Sequence, residues 1–216
     1  GFPLINDTLF FFGSYEKVEG VQLYNYDALG RITQSEVDQV TEIAQRVYNY
    51  DVGGMPGSAP VEDEKILVKL DWNINEDHRA TFLYNWNDGF SLSQSDTGSS
   101  RLSLSNHFYE RGAELTNMVV SVYSDWNADF STEVRIGKSE LINRQNSLDA
   151  ASGFAEASIN TAGNGTIYIG PDDSRQSNSL NYDTDTFKFA ATYYMGDHKI
   201  TGGIEYEKLD VFNLFM

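Results

Sequence analysis

Apolar side chains recur at every second position through several stretches of this chain, with charged, amide or hydroxyl side chains at most of the positions between them. Ile66, Val68, Leu70 and Trp72 alternate with Leu67, Lys69, Asp71 and Asn73, and Ala80, Phe82, Tyr84 and Trp86 alternate with Arg79, Thr81, Leu83 and Asn85. A period of two belongs to a strand with one greasy and one wet face, not to a helix. Met118, Val120 and Val122, then Val134 and Ile136, continue the pattern, as do Phe187, Phe189, Ala191 and Tyr193 followed by Ile200, Ile204 and Tyr206. With a first strand from Thr8 to Glu16, apolar on both faces at its start, seven strands are expected.

Three of the intervals between these strands are short and alike. Asp71-Trp72-Asn73-Ile74-Asn75-Glu76-Asp77-His78, Asp125-Trp126-Asn127-Ala128-Asp129-Phe130 and Tyr194-Met195-Gly196-Asp197-His198 each bring an aromatic into a polar reversal rich in Asn, Asp or Gly, the residues that tight turns need. Pro3-Leu4-Ile5-Asn6-Asp7 reads as a fourth reversal of this kind. The other intervals are expected to be loops of roughly 20 to 45 residues, far beyond an ordinary hairpin connection. Short turns at one edge and long loops at the other are the asymmetry of outer-membrane barrels, in which only the outside loops are free to grow.

Within the first long loop, Val37, Val40, Ile43, Ala44 and Val47 fall on one helical face, and Thr33 with Glu36 makes a capping-box pattern. A short helix is predicted there, ended by Gly53-Gly54 and Pro56-Gly57. Its polar face is acidic rather than basic, so it is expected to pack on the other loops and not on a lipid surface. Residues 147–181, rich in Ser, Asn, Gly and Ala, read as another long loop with a small strand around Thr166 to Gly170.

Composition narrows the function classes. The net charge of −17 leaves no basic patch for nucleic-acid phosphate, so no nucleic-acid partner is expected. There is no cysteine, hence neither a disulfide framework nor a thiolate metal site. A mean hydropathy of −0.42 is compatible with a membrane barrel, because a barrel strand shows lipid only alternate residues. Thirteen Tyr and thirteen Phe point the same way, and Trp72, Trp126 and Tyr194, each beside a short turn, read as membrane-interface aromatics with a structural role. A sugar-stacking platform is the weaker reading of the same three. The last residues, Val211–Met216, read as a strand, so the chain is expected to be a piece of a larger sheet.

No catalytic constellation emerges, and no cofactor or metal ligand set is assigned. His78 and His198 occupy equivalent turn positions, which repeated turn structure explains. Asp172-Asp173 and the pair Asp183 and Asp185 lack the ligand spacing of a calcium loop and are expected to be solvated. Among 32 acidic residues chance alone supplies carboxylate pairs. The Gly-rich pieces 51–57 and 163–165 lack the Lys and strand-to-helix context of a phosphate loop. An enzyme is not expected.

The segment Gly1-Phe2-Pro3-Leu4-Ile5-Asn6-Asp7-Thr8-Leu9-Phe10-Phe11-Phe12 resembles a signature near the start of the barrel in TonB-dependent outer-membrane receptors of the Oar-like group, departing from it at Phe2 and Asn6. Lys69–Asn75, Asp77–Phe82, Gly196-Asp197-His198 and Asp210–Phe215 are similar to the same group. The resemblance implies an all-β fold: a partial antiparallel transmembrane β-barrel, about seven strands of roughly 22, with long extracellular loops, one containing a short helix. Residues 1–216 then form the N-terminal part of the barrel, with the plug domain and remaining strands absent. The function implied is energy-coupled uptake of a large or scarce substrate across the cell outer membrane. The partners implied are outer-membrane lipid, the TonB complex acting through the plug, and an unknown extracellular substrate. The alternative is a non-transporting surface binding protein or adhesin on a β-scaffold, and a soluble glycan-binding sandwich is weaker still.

Overall fold

The computed structural model describes residues 1–215 and is dominated by antiparallel sheet. Its strands are β1 (Phe2–Ile5), β2 (Leu9–Leu23), β3 (Ser58–Asn73), β4 (His78–Ser93), β5 (Arg101–Ser103), β6 (Tyr109–Asn127), β7 (Phe130–Ser147), β8 (Ala157–Asn160), β9 (Thr166–Ile169), β10 (Ser179–Met195) and β11 (His198–Leu214). Eight of them form one sheet in the order β1-β2-β3-β4-β6-β7-β10-β11, every pairing antiparallel. The sheet is open, with β1 at one margin and β11 at the other.

The seven long strands of this sheet are the seven expected. Phe2–Ile5, expected as part of a turn, is instead a short edge strand: Pro3 pairs with Phe10, and the reversal falls on Asn6 and Asp7, the latter at φ 58. An edge is where proline is tolerated, since its missing N–H faces no further strand. The strands also run further than the alternation suggested. β4 extends to Ser93 and β6 starts at Tyr109, so the connection 94–108 is shorter than expected. These extensions carry charges on both faces and pair them across strands, as in Arg144–Asp88 at 2.9 Å and Lys65–Glu16 at 3.8 Å. Met216, which ends the Val211–Met216 segment, lies outside the described residues.

Paired residues share a face, so the ladder shows where the alternating apolar sets go. One row runs Trp72, Ala80, Val122, Val134, Phe189, Ile204; the next runs Leu70, Phe82, Val120, Ile136, Phe187, Tyr206. The separate patterns of six strands thus merge into one apolar face. Trp72 lies one residue from the end of β3 whereas Ile204 lies six beyond the start of β11, so successive strands slide along one another in a constant direction. Such stagger is what a tilted, curling sheet requires.

The face is not covered by any of the described residues. Ile136, Ile204 and Tyr206 are 57%, 64% and 59% exposed, and the whole molecule exposes 13220 Å² where a compact protein of its mass exposes about 10,000 Å².

The buried core lies in the long connections. Ala28, Ile32, Val37, Ala44, Tyr50, Val52, Leu102, Leu104, Ile167 and Ile169 form one cluster drawn from all three of them, which together make a cap. Its sheet has the order β5-β9-β8, and β9 realises the small strand expected near Thr166. Helix α1 (Gln34–Tyr48) starts at the predicted capping box: Glu36 N–H donates to the Thr33 hydroxyl and Thr33 N–H donates to the Glu36 carboxylate at 2.8 Å. It ends at Asn49 in the left-handed region, ahead of the Gly53-Gly54 pair expected to stop it. Val37 and Ala44 are buried and Val40 packs beside them, but Ile43 and Val47 of the same predicted stripe stay about half exposed. The helix does pack on the loops: the Glu36 carboxylate also accepts from Ala162 N–H at 3.0 Å. Gly165 passes so close to Ile32 that a Cβ would come within 2.3 Å of its side chain.

Candidate functional site

Three places bear on function: the borders of the apolar face, the polar face behind it, and a buried cluster in the cap.

The apolar face is framed by aromatics. Near the short turns stand Trp72 and Trp126, both about half exposed, and Trp126 packs edge-on against His78 at 5.1 Å while its indole N–H donates to Thr132 at 2.9 Å. The third predicted aromatic behaves differently. Tyr194 pairs with Lys199 and shares the opposite, polar face, with the ammonium 5.6 Å from its ring. Its neighbour Tyr193, paired with Phe130 and Ile200, holds the equivalent place on the apolar face. The alternation Phe187, Phe189, Ala191, Tyr193 already implies this parity, and the pairing agrees with it. The split also removes the three-ring stacking platform.

Six residues up the strands, about 20 Å away, a second set appears: Tyr15, Trp86 and Tyr206. Tyr15 OH donates to Glu64 at 2.8 Å and Trp86 Nε1–H donates to Glu114 at 2.9 Å, so each ring has its apolar body in the band and its polar tip on a carboxylate. Between the two borders the side chains on this face are uncharged at Val68, Leu70, Phe82, Tyr84, Val120 and Ile204; the border is staggered, for the row of Tyr84 and Met118 runs on into Lys138, Asp185 and Lys208. Beyond Trp86 the same face turns ionic with Glu64, Asp88, Glu114 and Arg144.

The polar face is concave at the short-turn end. A trough of about 1320 Å³ is lined by Asp7 and Thr8 at one side of the sheet and by Thr201, Gly203 and Glu205 at the other. In a flat sheet β2 and β11 would stand about 29 Å apart, so the sheet curls toward this face. Charges of both signs alternate there: Arg79 stacks over Tyr123 at 4.6 Å, Arg135 lies 3.1 Å from Glu133, and Lys188 lies 3.3 Å from the same carboxylate. Neighbouring turns are joined by Asn73 N–H to Thr8 O, Asp125 N–H to Asp77 O and Tyr194 N–H to Asp129 O, at 2.7 to 2.8 Å. His78 and His198 open β4 and β11, as their repeated turn positions implied.

The cap gathers Asp96, His107 and Asp172. His107 is fully buried and Asp172 is nearly so, contrary to the solvated role expected of it; Asp173 beside it is exposed. The imidazole Nδ1 lies 2.8 Å from Gly170 O, and Nε2 lies 3.4 Å from Asp96 Oδ2 and 4.0 Å from Asp172 Oδ2. Asp172 also approaches Glu156 and Asp173. Burial, reinforced by those two neighbouring carboxylates, pushes the Glu156 carboxyl up from its usual range despite the Asp173 N–H it accepts. Asp96 and His107 stand eleven residues apart in the connection 94–108 and Asp172 comes from the connection 148–178, so no local spacing announced the three together. Asp183 and Asp185 do not join this group; they stand in β10, where Asp185 pairs with Lys138 and Lys208.

No family model matches the chain, and neither a curated protein nor a solved structure matches it.

Proposed function

We propose that this chain is a section of the wall and outer loops of a TonB-dependent outer-membrane receptor, serving energy-coupled uptake of a large or scarce substrate. The observation that carries the reading is the uncovered, uncharged band about 20 Å tall, bordered by aromatics and backed by a concave polar face. Water does not tolerate such a band, whereas an outer-membrane barrel has one about 25 Å tall between two aromatic girdles. Short turns at one edge and an elaborate cap at the other agree with periplasmic turns and extracellular loops. In this reading lipid covers the apolar face, further strands extend β11 and close the sheet, the cap meets the substrate, and the TonB complex acts on a plug outside this chain. The sequence resemblance supplies the transport role; the sheet geometry supports the membrane.

The three tryptophans, Trp72, Trp86 and Trp126, all belong to the apolar face and lie at its two borders. Reconstituted in bilayers, their fluorescence is expected to be quenched strongly by lipids brominated near the headgroup and weakly by lipids brominated near the chain terminus. Emission untouched by either lipid, from protein that stays in solution without detergent, would refute the membrane reading.

A further inference from the structure

The cap contains a cluster that neither the apolar band nor uptake explains: a fully buried histidine facing two carboxylates. The hydrogen-bonding of the ring limits what the cluster can be. Gly170 O can only accept, so Nδ1 carries the proton in that bond. In the neutral ring Nε2 then presents a lone pair, and it presents it to Asp96 Oδ2 and Asp172 Oδ2, two further lone-pair donors. Such an arrangement is repulsive unless something positive lies between the three atoms.

The surroundings orient these atoms further. Asp96 Oδ1 is held by Arg101 at 3.2 Å and Asp172 Oδ1 accepts Arg175 N–H at 2.8 Å, so the Oδ2 atom of each aspartate faces the histidine and the Ser95 hydroxyl. A backbone carbonyl on the second nitrogen of a histidine, and donors on the outer oxygens of carboxylates, are the supports that orient metal ligands. The spacing comes close. Ligands 2.0–2.1 Å from a tetrahedral cation stand about 3.3–3.4 Å from each other; Nε2 is 3.4 Å from Asp96 Oδ2 and 4.0 Å from Asp172 Oδ2, so Asp172 has to draw in by about half an ångström to complete the set. The Ser95 hydroxyl lies against the same Asp172 oxygen and so closes one side of the group.

We propose that Asp96, His107 and Asp172 bind a divalent transition-metal cation, with Zn²⁺ as the fitting ion. One imidazole and two carboxylates suit Zn²⁺ better than Ca²⁺, which takes six or more oxygens. The cation joins the connection 94–108 to the connection 148–178, fastening two of the three loops of the cap. The site stands on the cap alone and holds whether or not the sheet lies in a membrane.

The test is a titration of the untagged chain, in detergent micelles and stripped with a chelator, using Zn²⁺ by calorimetry and Co²⁺ by visible absorption. One equivalent of each is expected, with the intense bands of a tetrahedral Co²⁺ site, and His107→Gln is expected to weaken binding by at least the ~10–100-fold that even an outer-shell change brings. Asp96→Asn removes the most exposed of the three ligands, so it gives the same readout if His107→Gln fails to fold. The proposal falls if the stripped wild-type chain takes up neither ion, or binds only Ca²⁺, or if Asp96→Asn binds as tightly as wild type. In the first case the group is a buried hydrogen-bonded contact between His107 and the two aspartates, with no cation.

Discussion

Ile167, Leu102 and Ile32 of the cap are sealed from solvent, while Ile204, Ile136 and Tyr206 of the sheet, side chains of comparable or greater size, stand more than half exposed. The two regions have opposite architecture. In the cap, three loops from distant parts of the chain supply a helix and three short strands that close around one cluster, as in a small soluble domain. In the sheet, the apolar side chains of the band point to the same side, and no described residue outside the sheet covers them. Alternation states which residues share a face. It is silent on what that face touches.

The comparison is broken most severely by opening the cap core. Leu102→Ala or Ile167→Ala is expected to cost about 2–5 kcal/mol in cap stability, through lost transfer energy and the cavity left behind. Hydrogen exchange resolved by segment is the measurement: α1 and β9 should lose protection while β3 and β4 keep theirs. Loss of protection throughout would mean that cap and sheet unfold as one unit.

Next in size is a charge on the apolar face. Val68→Arg or Phe82→Arg, near the middle of the band, is expected to cost about 2–4 kcal/mol when the protein is in a bilayer. Asn85→Arg, on the polar face of β4, should be close to neutral. Urea unfolding in vesicles checks both, and a neutral Val68→Arg would mean that this face does not meet lipid.

The smallest expected effects concern the start of α1. Thr33→Ala removes the side-chain cap and is expected to cost about 1 kcal/mol of helix stability, read as faster exchange of the Glu36 and Val37 amides. The Thr33 backbone N–H, together with its hydroxyl and the Ala162 N–H, holds the Glu36 carboxyl below its ordinary value of 4.5. Because the folded value is the lower one, the stabilisation is fully present above the ordinary value and is lost as pH falls through the folded one. Protection of the same amides should therefore drop on acidification in wild type and respond much less in Glu36→Gln.

Much of this was legible in the chain because it is local. The seven long strands, their short turns, the Thr33–Glu36 box and the strand at Thr166–Ile169 each depend on neighbours a few residues away. The misplaced residues have two kinds of cause. Phe2–Ile5 is a strand because Phe10 and Phe11 pair with it across a reversal shorter than expected, and Tyr194 stands on the polar face because it alternates with Tyr193 up to the Met195–His198 turn; both are local. Ile43 and Val47 fall on the right helical face but outside the area that the loop core, built from distant segments, reaches.

By itself, then, the sequence determined the element types, the two-faced character of the strands and the asymmetry between short turns and long connections, because periodicity and turn chemistry act within a few residues. Only the tertiary structure decided that six separate apolar faces become one, that the polar side is the concave one, that the loops build a core of their own, and that Asp96, His107 and Asp172 meet. Those outcomes rest on strand register and on loop closure over long separations, which no local pattern encodes.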